Sequence, residues 1–307
     1  MDVEALLDSR LHSAIKLCGG SGSPPKLTSA IHQAVFPGGA RIRPKLCLAV
    51  YQACNDNDNS LAMASAVAIE LLHCASLVHD DLPCFDDADT RRGKPSIHKA
   101  FDERIAVLVG DALIVLAFQV IGLCKTKNLD RYSSVFKSIV EGVGAPSGII
   151  AGQSWECESK ASLKQYQREK TGSLFVAATI SGAAAGGDFS SNWRDLGEAL
   201  GEAYQVADDI RDVIANPNEI GKPIGQDEVL GRMSSAKELG LSGAVEYFDF
   251  LINKAVSFIP NCERDDYLKK LIKQESQRLV PKKGRIKIIK TTHNIHTKKK
   301  SSVISSL

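Results

Sequence analysis

The chain contains no Cys-X-X-Cys pair, no sustained alternation of apolar and polar residues, and no repeat with a period of roughly 20–50 residues. The first absence argues against thiolate metal sites and dithiol redox chemistry. The eight cysteines (Cys18, Cys47, Cys54, Cys74, Cys84, Cys124, Cys157 and Cys262) are scattered through apolar stretches, as free buried thiols are. The second absence excludes a half-buried β-sheet, and the third excludes a solenoid. The opening segment, MDVEALLD, lacks the basic and apolar regions of a signal peptide. With the unpaired cysteines it points to a reducing cytoplasm. A basic body of the kind that binds nucleic acid is missing too. The formal net charge is +2, but residues 282–300 hold eight Lys/Arg and no acid, so the remainder is net negative.

What the sequence does contain is helical. Apolar residues recur at helical spacing nearly throughout, helix formers fill the long segments, and loop-forming residues cluster at 19–25, 55–60, 186–192 and 215–236. Ser60 reads as a helix N-cap. The pattern gives about ten helices, all-α, in one domain over residues 1–280. Residues 281–307 form a basic tail; a solvated, disordered extension is the plain reading. Weak contact with an anionic membrane surface is the sharper one. One run, Ile105 to Cys124, is long enough to span a bilayer. Asp111 inside it is costly at that depth, so the run reads as a fully buried central helix.

Two aspartate clusters stand out: Asp80-Asp81-Leu-Pro-Cys-Phe-Asp86 and Asp208-Asp209-Ile-Arg-Asp212. Carboxylates crowded together in apolar surroundings need compensating cations to stay ionised. Mg²⁺ suits them, because it takes one or two carboxylates and completes its shell with water and phosphate oxygens. Asp208 and Asp212, at i and i+4, share a helix face, and Gln205 precedes them on the same helix. His73, Ser76 and Asp80 fall on one face of another helix. Pro83 blocks that helix from continuing, so the chain must turn for Asp86 to join Asp80. Basic residues follow in order: Arg41 and Arg43 within GGARIRP, then Arg91, Arg92 and Lys94, then Lys170-Thr171, then Lys222. Guanidinium and ammonium groups bind diphosphate oxygens.

In this order and combination the motifs resemble those of the trans-polyprenyl diphosphate synthases over roughly residues 5–280. LLHCASLVHDDLPCFDDADTRRGKPSIHK is similar to that family's first Asp-rich region and GEAYQVADDIRDV to its second. AGQSWECESK and IGKPIGQD resemble the bacterial geranylgeranyl diphosphate synthases of the carotenoid and bacteriochlorophyll branch. The resemblance implies an isoprenoid synthase type bundle of ten or so helices around a central cavity, and a homodimer. It implies two or three Mg²⁺ held by Asp80, Asp86, Asp208, Asp81, Asp209 and Asp212. Arg91, Lys170, Thr171, Gln205 and Lys222 would meet the allylic diphosphate; Arg43, His73 and Arg92 would meet isopentenyl diphosphate. Ala75 and Ser76, both small, would leave room for a chain longer than C15. Ala40 departs from the lysine usual in the family, a loss that Arg41, Arg43 and Arg92 would offset. Arg211 within the second motif either faces solvent or pairs with Asp208.

Other readings remain at this point. A class I terpene cyclase shares the first Asp cluster, yet it has no need of an isopentenyl-site arginine pair. A non-catalytic partner subunit would have lost its Asp motifs, whereas both are complete here. A farnesyl diphosphate synthase would carry an aromatic residue near Ala75.

Overall fold

A computed structural model describes residues 3–281 except 37–38, 55–58, 127, 160–161, 215–234 and 263. Lys222 and the tail from residue 282 lie outside the described residues. The fold is all-α, as the periodicity requires. In chain order the main helices are α1 (Val3–Ile15), α2 (Pro25–Val35), α3 (Ile42–Ala53), α4 (Ser60–Asp80), α5 (Ile97–Ala100), α6 (Glu103–Gly122), α7 (Leu129–Val143), α8 (Ile149–Ser154), α9 (Leu163–Gln167), α10 (Ser173–Ala185), α11 (Asn192–Ile214), α12 (Ser235–Ser257) and α13 (Asp265–Leu279). Ser60 is the first helical residue of α4 and Asn59 occupies its N-cap position, one residue from the sequence expectation. Ser235 and Ala236, expected in the long loop, already belong to α12.

The centre of the bundle is made by α4 and α10. Helix α4 packs on α3, α6 and α10, and α10 on α3, α7 and α11. Both are apolar on all sides, as helices enclosed by other helices must be. A glycine lets α10 approach α3 closely: a Cβ at Gly182 would stand 2.2 Å from the carbonyl oxygen of Cys47 on α3. Helices α11 and α12 pack together on one flank, and α13 closes over α3.

Two sequence expectations need correction. Helix α4, not the 105–124 run, is the fully enclosed helix. Helix α6 buries Ala106, Val109, Leu113, Leu116 and Ala117 but leaves Val107, Leu108 and Val115 at 43%, 50% and 67% exposure. Phe136 and Val140 of α7 are exposed as well. Hydrophobicity alone could not reveal this, because a run that is apolar all round fits a core helix and a half-covered one alike. By length and composition, moreover, two helices among the described residues, α4 and α6, could span a membrane, where the sequence pointed to one run.

Candidate diphosphate and metal site

The first Asp cluster sits where α4 ends. Asp80 is its last helical residue. Beyond Pro83 the chain folds back: the Asp86 amide donates to the Asp80 carbonyl at 3.0 Å and the Ala88 amide to that of Asp81 at 3.2 Å. This is the turn that Pro83 made necessary, and it returns Asp86 to Asp80. A short antiparallel hairpin follows, β1 (Thr90–Arg91) and β2 (Lys94–Pro95). Its two turn residues, Arg92 and Gly93, have φ of 54° and 75°, the paired left-handed conformation that tight hairpins favour. The hairpin points Arg91 back to Asp81, whose two oxygens accept from Arg91 Nε at 3.0 and 3.2 Å. Asp81 is buried in this fork.

Asp80 has a different fate. Its Oδ1 accepts from Lys170 Nζ at 3.0 Å and Gln153 Nε2 at 3.1 Å. Lys170 also donates to Glu156 Oε1 at 2.8 Å, and Tyr166 Oη donates to the same oxygen at 2.5 Å. Burial works against the Lys170 ammonium, but Asp80, Tyr166 and Glu156 outweigh it and raise its pKa well above the usual lysine value.

Lys170 and Thr171 lie on a π-helical turn, Arg168–Gly172, wedged between α8 and α11. The wedge needs glycine on both sides. A Cβ at Gly152 would stand 2.2 Å from the Lys170 amide nitrogen, and one at Gly201 would stand 2.6 Å from the Gly172 Cα. Such turns recur at functional sites because the extra residue re-aims side chains. Here it sends Lys170 to the first cluster and Thr171 to the second. Thr171 Oγ1 donates to Gln205 Oε1 at 2.9 Å, and Gln205 Nε2 donates to Asp209 Oδ1 at 3.0 Å. The π turn therefore joins the two Asp clusters.

In the second cluster, on α11, the neighbouring aspartates again diverge. Asp209 is buried and its other oxygen accepts from the Ser235 amide at 2.7 Å, which fixes the start of α12. Asp208 is partly exposed and paired with Arg211, settling the open reading of that arginine. Asp81 and Asp209, expected among the metal ligands, thus have their oxygens on protein donors, Arg91 for one and Gln205 with Ser235 for the other. Arg91, expected on the allylic diphosphate, is engaged by Asp81.

A separate cationic site lies at the start of α3. Arg43 is buried, its guanidinium carbon 4.6 Å from the Phe175 ring centroid and 5.6 Å from that of Tyr204. Its Nη1 lies 3.4 Å from His73 Nε2. No carboxylate among the described residues lies within ion-pair distance of Arg43, and its Nε has no hydrogen-bond partner. Burial lowers its pKa, and the same burial, with Arg43 and Arg92 nearby, holds His73 well below the usual histidine value. His73 is neutral at pH 7 and accepts from Arg43. Arg92 joins this group: its guanidinium lies against Gly39, where a Cβ would stand 3.0 Å from Nη2. Arg41 does not join it. Its guanidinium is buried on Glu70, so it cannot offset Ala40 as the sequence suggested.

Gln153, Glu156, Tyr166, Glu70, Phe175 and Tyr204 were not singled out from sequence. Gln153 and Glu156 lie within AGQSWECESK and Tyr204 within GEAYQVADDIRDV, with no role of their own given there, and Glu70 gave a signal as a lone charge in the apolar run of α4.

Among the described residues no three His, Cys, Asp or Glu side chains converge as a protein-only metal cage. Mg²⁺ does not need one. The donor set is hard and oxygen-only, and Asp80, Asp86 and Asp208 sit beside the basic groups a phosphate would use. Fold and site define a class, the all-α proteins that bind diphosphates between acidic clusters and cations.

Comparison with known proteins narrows the class. The family model described as polyprenyl synthetase matches residues 24–272. The geranylgeranyl diphosphate synthases of Cereibacter sphaeroides and Rhodobacter capsulatus are 44% and 42% identical, over 92% and 91% of this chain and 98% and 97% of theirs. The crystal structure of a geranyltransferase from Helicobacter pylori, complexed with magnesium and isoprenyl diphosphate, superposes with a TM-score of 0.76 at 29% identity, covering 88% of this chain and 95% of that one. This chain belongs to the polyprenyl synthetase family.

Proposed function

We propose that the chain is a geranylgeranyl diphosphate synthase, a prenyltransferase that condenses isopentenyl diphosphate with allylic diphosphates up to farnesyl diphosphate. Arg43 carries this reading: a buried guanidinium without a carboxylate, beside neutral His73 and apart from the Asp clusters, calls for a second anionic substrate. A cyclase binds one diphosphate and has no use for it. The C20 product follows the names of the two bacterial relatives and the small Ala75 and Ser76. A farnesyl diphosphate synthase of Geobacillus stearothermophilus, 36% identical over 79% of this chain, keeps the C15 product as the second reading.

Asp80, Asp86, Asp208 and Asp212 would hold the Mg²⁺, two or three ions, which supplies charge stabilisation on the departing diphosphate. Lys170 and Thr171 orient that diphosphate, and Lys222 and Arg91 belong to the same reading. Arg43, His73 and Arg92 hold isopentenyl diphosphate with its double bond toward the allylic carbon. The allylic C–O bond breaks, the electron pair leaving with the diphosphate. The double bond attacks the resulting cation, and the released diphosphate takes the proton, so no side-chain base is required. The reading requires the site to close against water, which would otherwise quench the cation.

The same reading includes a homodimer, for which the exposed apolar side chains of α6 and α7 offer the surface. It also includes a cytoplasmic site of action supplying carotenoid or other isoprenoid synthesis, a synthase domain over 1–280, and a basic tail over 281–307 suited to weak membrane-surface contact. The test is to incubate purified protein with Mg²⁺, isopentenyl diphosphate and farnesyl diphosphate and to chromatograph the products. Geranylgeranyl diphosphate is expected. A hydrocarbon product, or no turnover, refutes the assignment.

A further inference from the structure

Arg41 and Arg43 stand two residues apart, yet they face opposite partners. The Arg41 side chain is 2% exposed. Its Nη1 donates to Glu70 Oε1 at 2.5 Å and its Nη2 to the Val35 carbonyl at 2.8 Å, while Nε lies 3.6 Å from Asp8 Oδ1 of α1. Its φ is 52°, left-handed, at the N-cap position of α3. Glu70 lies one turn before His73 on α4 and is equally buried.

Stability does not explain this arrangement. A non-glycine residue in the left-handed region costs about 1 kcal/mol or more. A buried ion pair is often no better than an apolar pair of the same shape, because both charges lose water. What the pair does achieve is position. It ties the segment between Gly39 and Arg43 to α4 at the level of His73. Gly39 is the surface on which Arg92 rests, and Arg43 and His73 touch each other. All three groups of the cationic site therefore hang from one buried contact.

We propose that Arg41 and Glu70, with Asp8 behind them, are positioning residues for the isopentenyl diphosphate site. The proposal rests on the synthase reading above and adds residues that touch no substrate. The pair sets the spacing of Arg43, His73 and Arg92 so that they converge on one diphosphate. The allylic side, built on Asp80 and the π turn, does not depend on it.

The test is calorimetric titration of the full chain, first with isopentenyl diphosphate and separately with farnesyl diphosphate plus Mg²⁺. Wild type is compared with Glu70→Gln and with the double variant Arg41→Met/Glu70→Leu, which replaces both charges by apolar groups of similar length. The folded double variant is expected to bind isopentenyl diphosphate at least about tenfold more weakly and farnesyl diphosphate within about twofold of wild type. Unchanged isopentenyl diphosphate affinity, or an equal loss for both ligands, overturns the proposal. If the double variant fails to fold, Glu70→Gln decides: it keeps the shape and an acceptor oxygen, and a selective loss supports the proposal while none overturns it. Wild type that fails to bind isopentenyl diphosphate refutes the synthase reading itself, a result the first titration separates from the others.

Discussion

Replacing Lys170 by methionine keeps the length of the side chain and removes its charge, and the structure says what that exposes. Lys170 Nζ stands between Asp80 at 3.0 Å and Glu156 at 2.8 Å. Gln153 Nε2 reaches both carboxylates, at 3.1 and 2.9 Å, so their accepting oxygens lie no more than about 6 Å apart. Their side chains are 14% and 18% exposed, too little for bulk water to screen them fully. Two unit negative charges at about 6 Å with an effective dielectric of about 20 repel by about 3 kcal/mol. Relaxation of the side chains reduces this, and a loss of about 2 kcal/mol is expected for Lys170→Met, between the values for surface and fully buried pairs.

The metal supplies the contrast. If Asp80 belongs to a Mg²⁺ site, the variant has gained a reason to bind the ion, because the ammonium between the two carboxylates is gone. Urea denaturation followed by circular dichroism, in chelator and in millimolar Mg²⁺, measures this. Wild type should gain little from Mg²⁺ alone, and Lys170→Met should recover most of its loss. Equal stability of the two proteins in chelator, to within about 0.5 kcal/mol, refutes the electrostatic account. The same Mg²⁺ response in both refutes the placement of Asp80 at the metal.

Adjacent aspartates should separate by phenotype. Asp208→Asn should cut turnover by about a hundredfold or more with little change in stability, and Asp209→Asn should cost about 1–3 kcal/mol by loosening Ser235 and Gln205. Kinetics beside urea melts decide this, and matching phenotypes contradict it. Because His73 has a lowered pKa in the folded chain, the unfolded chain takes up its proton first as pH falls. Folded stability should therefore drop as pH falls from 7 to 5.5 through this residue, and the slope should flatten in His73→Gln. A variant with the wild-type slope would show that another group titrates. Ala75→Tyr should shorten the main product toward C15, as read by chromatography of the dephosphorylated products. An unchanged product ladder would assign chain length to another wall.

How much of this was legible in the sequence depended on the kind of signal. Spacing carried the second cluster, because i and i+4 on a helix leaves no choice of face. Pro83 carried the return of Asp86, because a helix that cannot continue must turn. Spacing could not divide Asp80 from Asp81, or Asp208 from Asp209. Neighbours on a helix point about 100° apart, and which of them meets protein depends on Arg91 and Ser235, which the fold brings in. The roles of Gln153, Glu156 and Tyr166 were hidden for the same reason: they come from packing against the π turn, which has no sequence pattern of its own.

Charges inside apolar helical runs are a stronger guide than they first seemed, and two of them show why. Glu70 in α4 and Asp111 in α6 stand in similar sequence surroundings. Glu70 is buried and its charge is met by Arg41. Asp111 is 60% exposed, with His79 at 4.0 Å, on the apolar face of α6. A buried charge must find its partner within the chain, so Glu70 predicts an arginine reaching α4 from elsewhere in the fold. A charge left half-solvated amid exposed valine and leucine keeps its water and asks nothing of the rest of the fold. The same sequence feature thus marks a buried ion pair in one helix and a hydrated surface charge in the other, and burial separates the two.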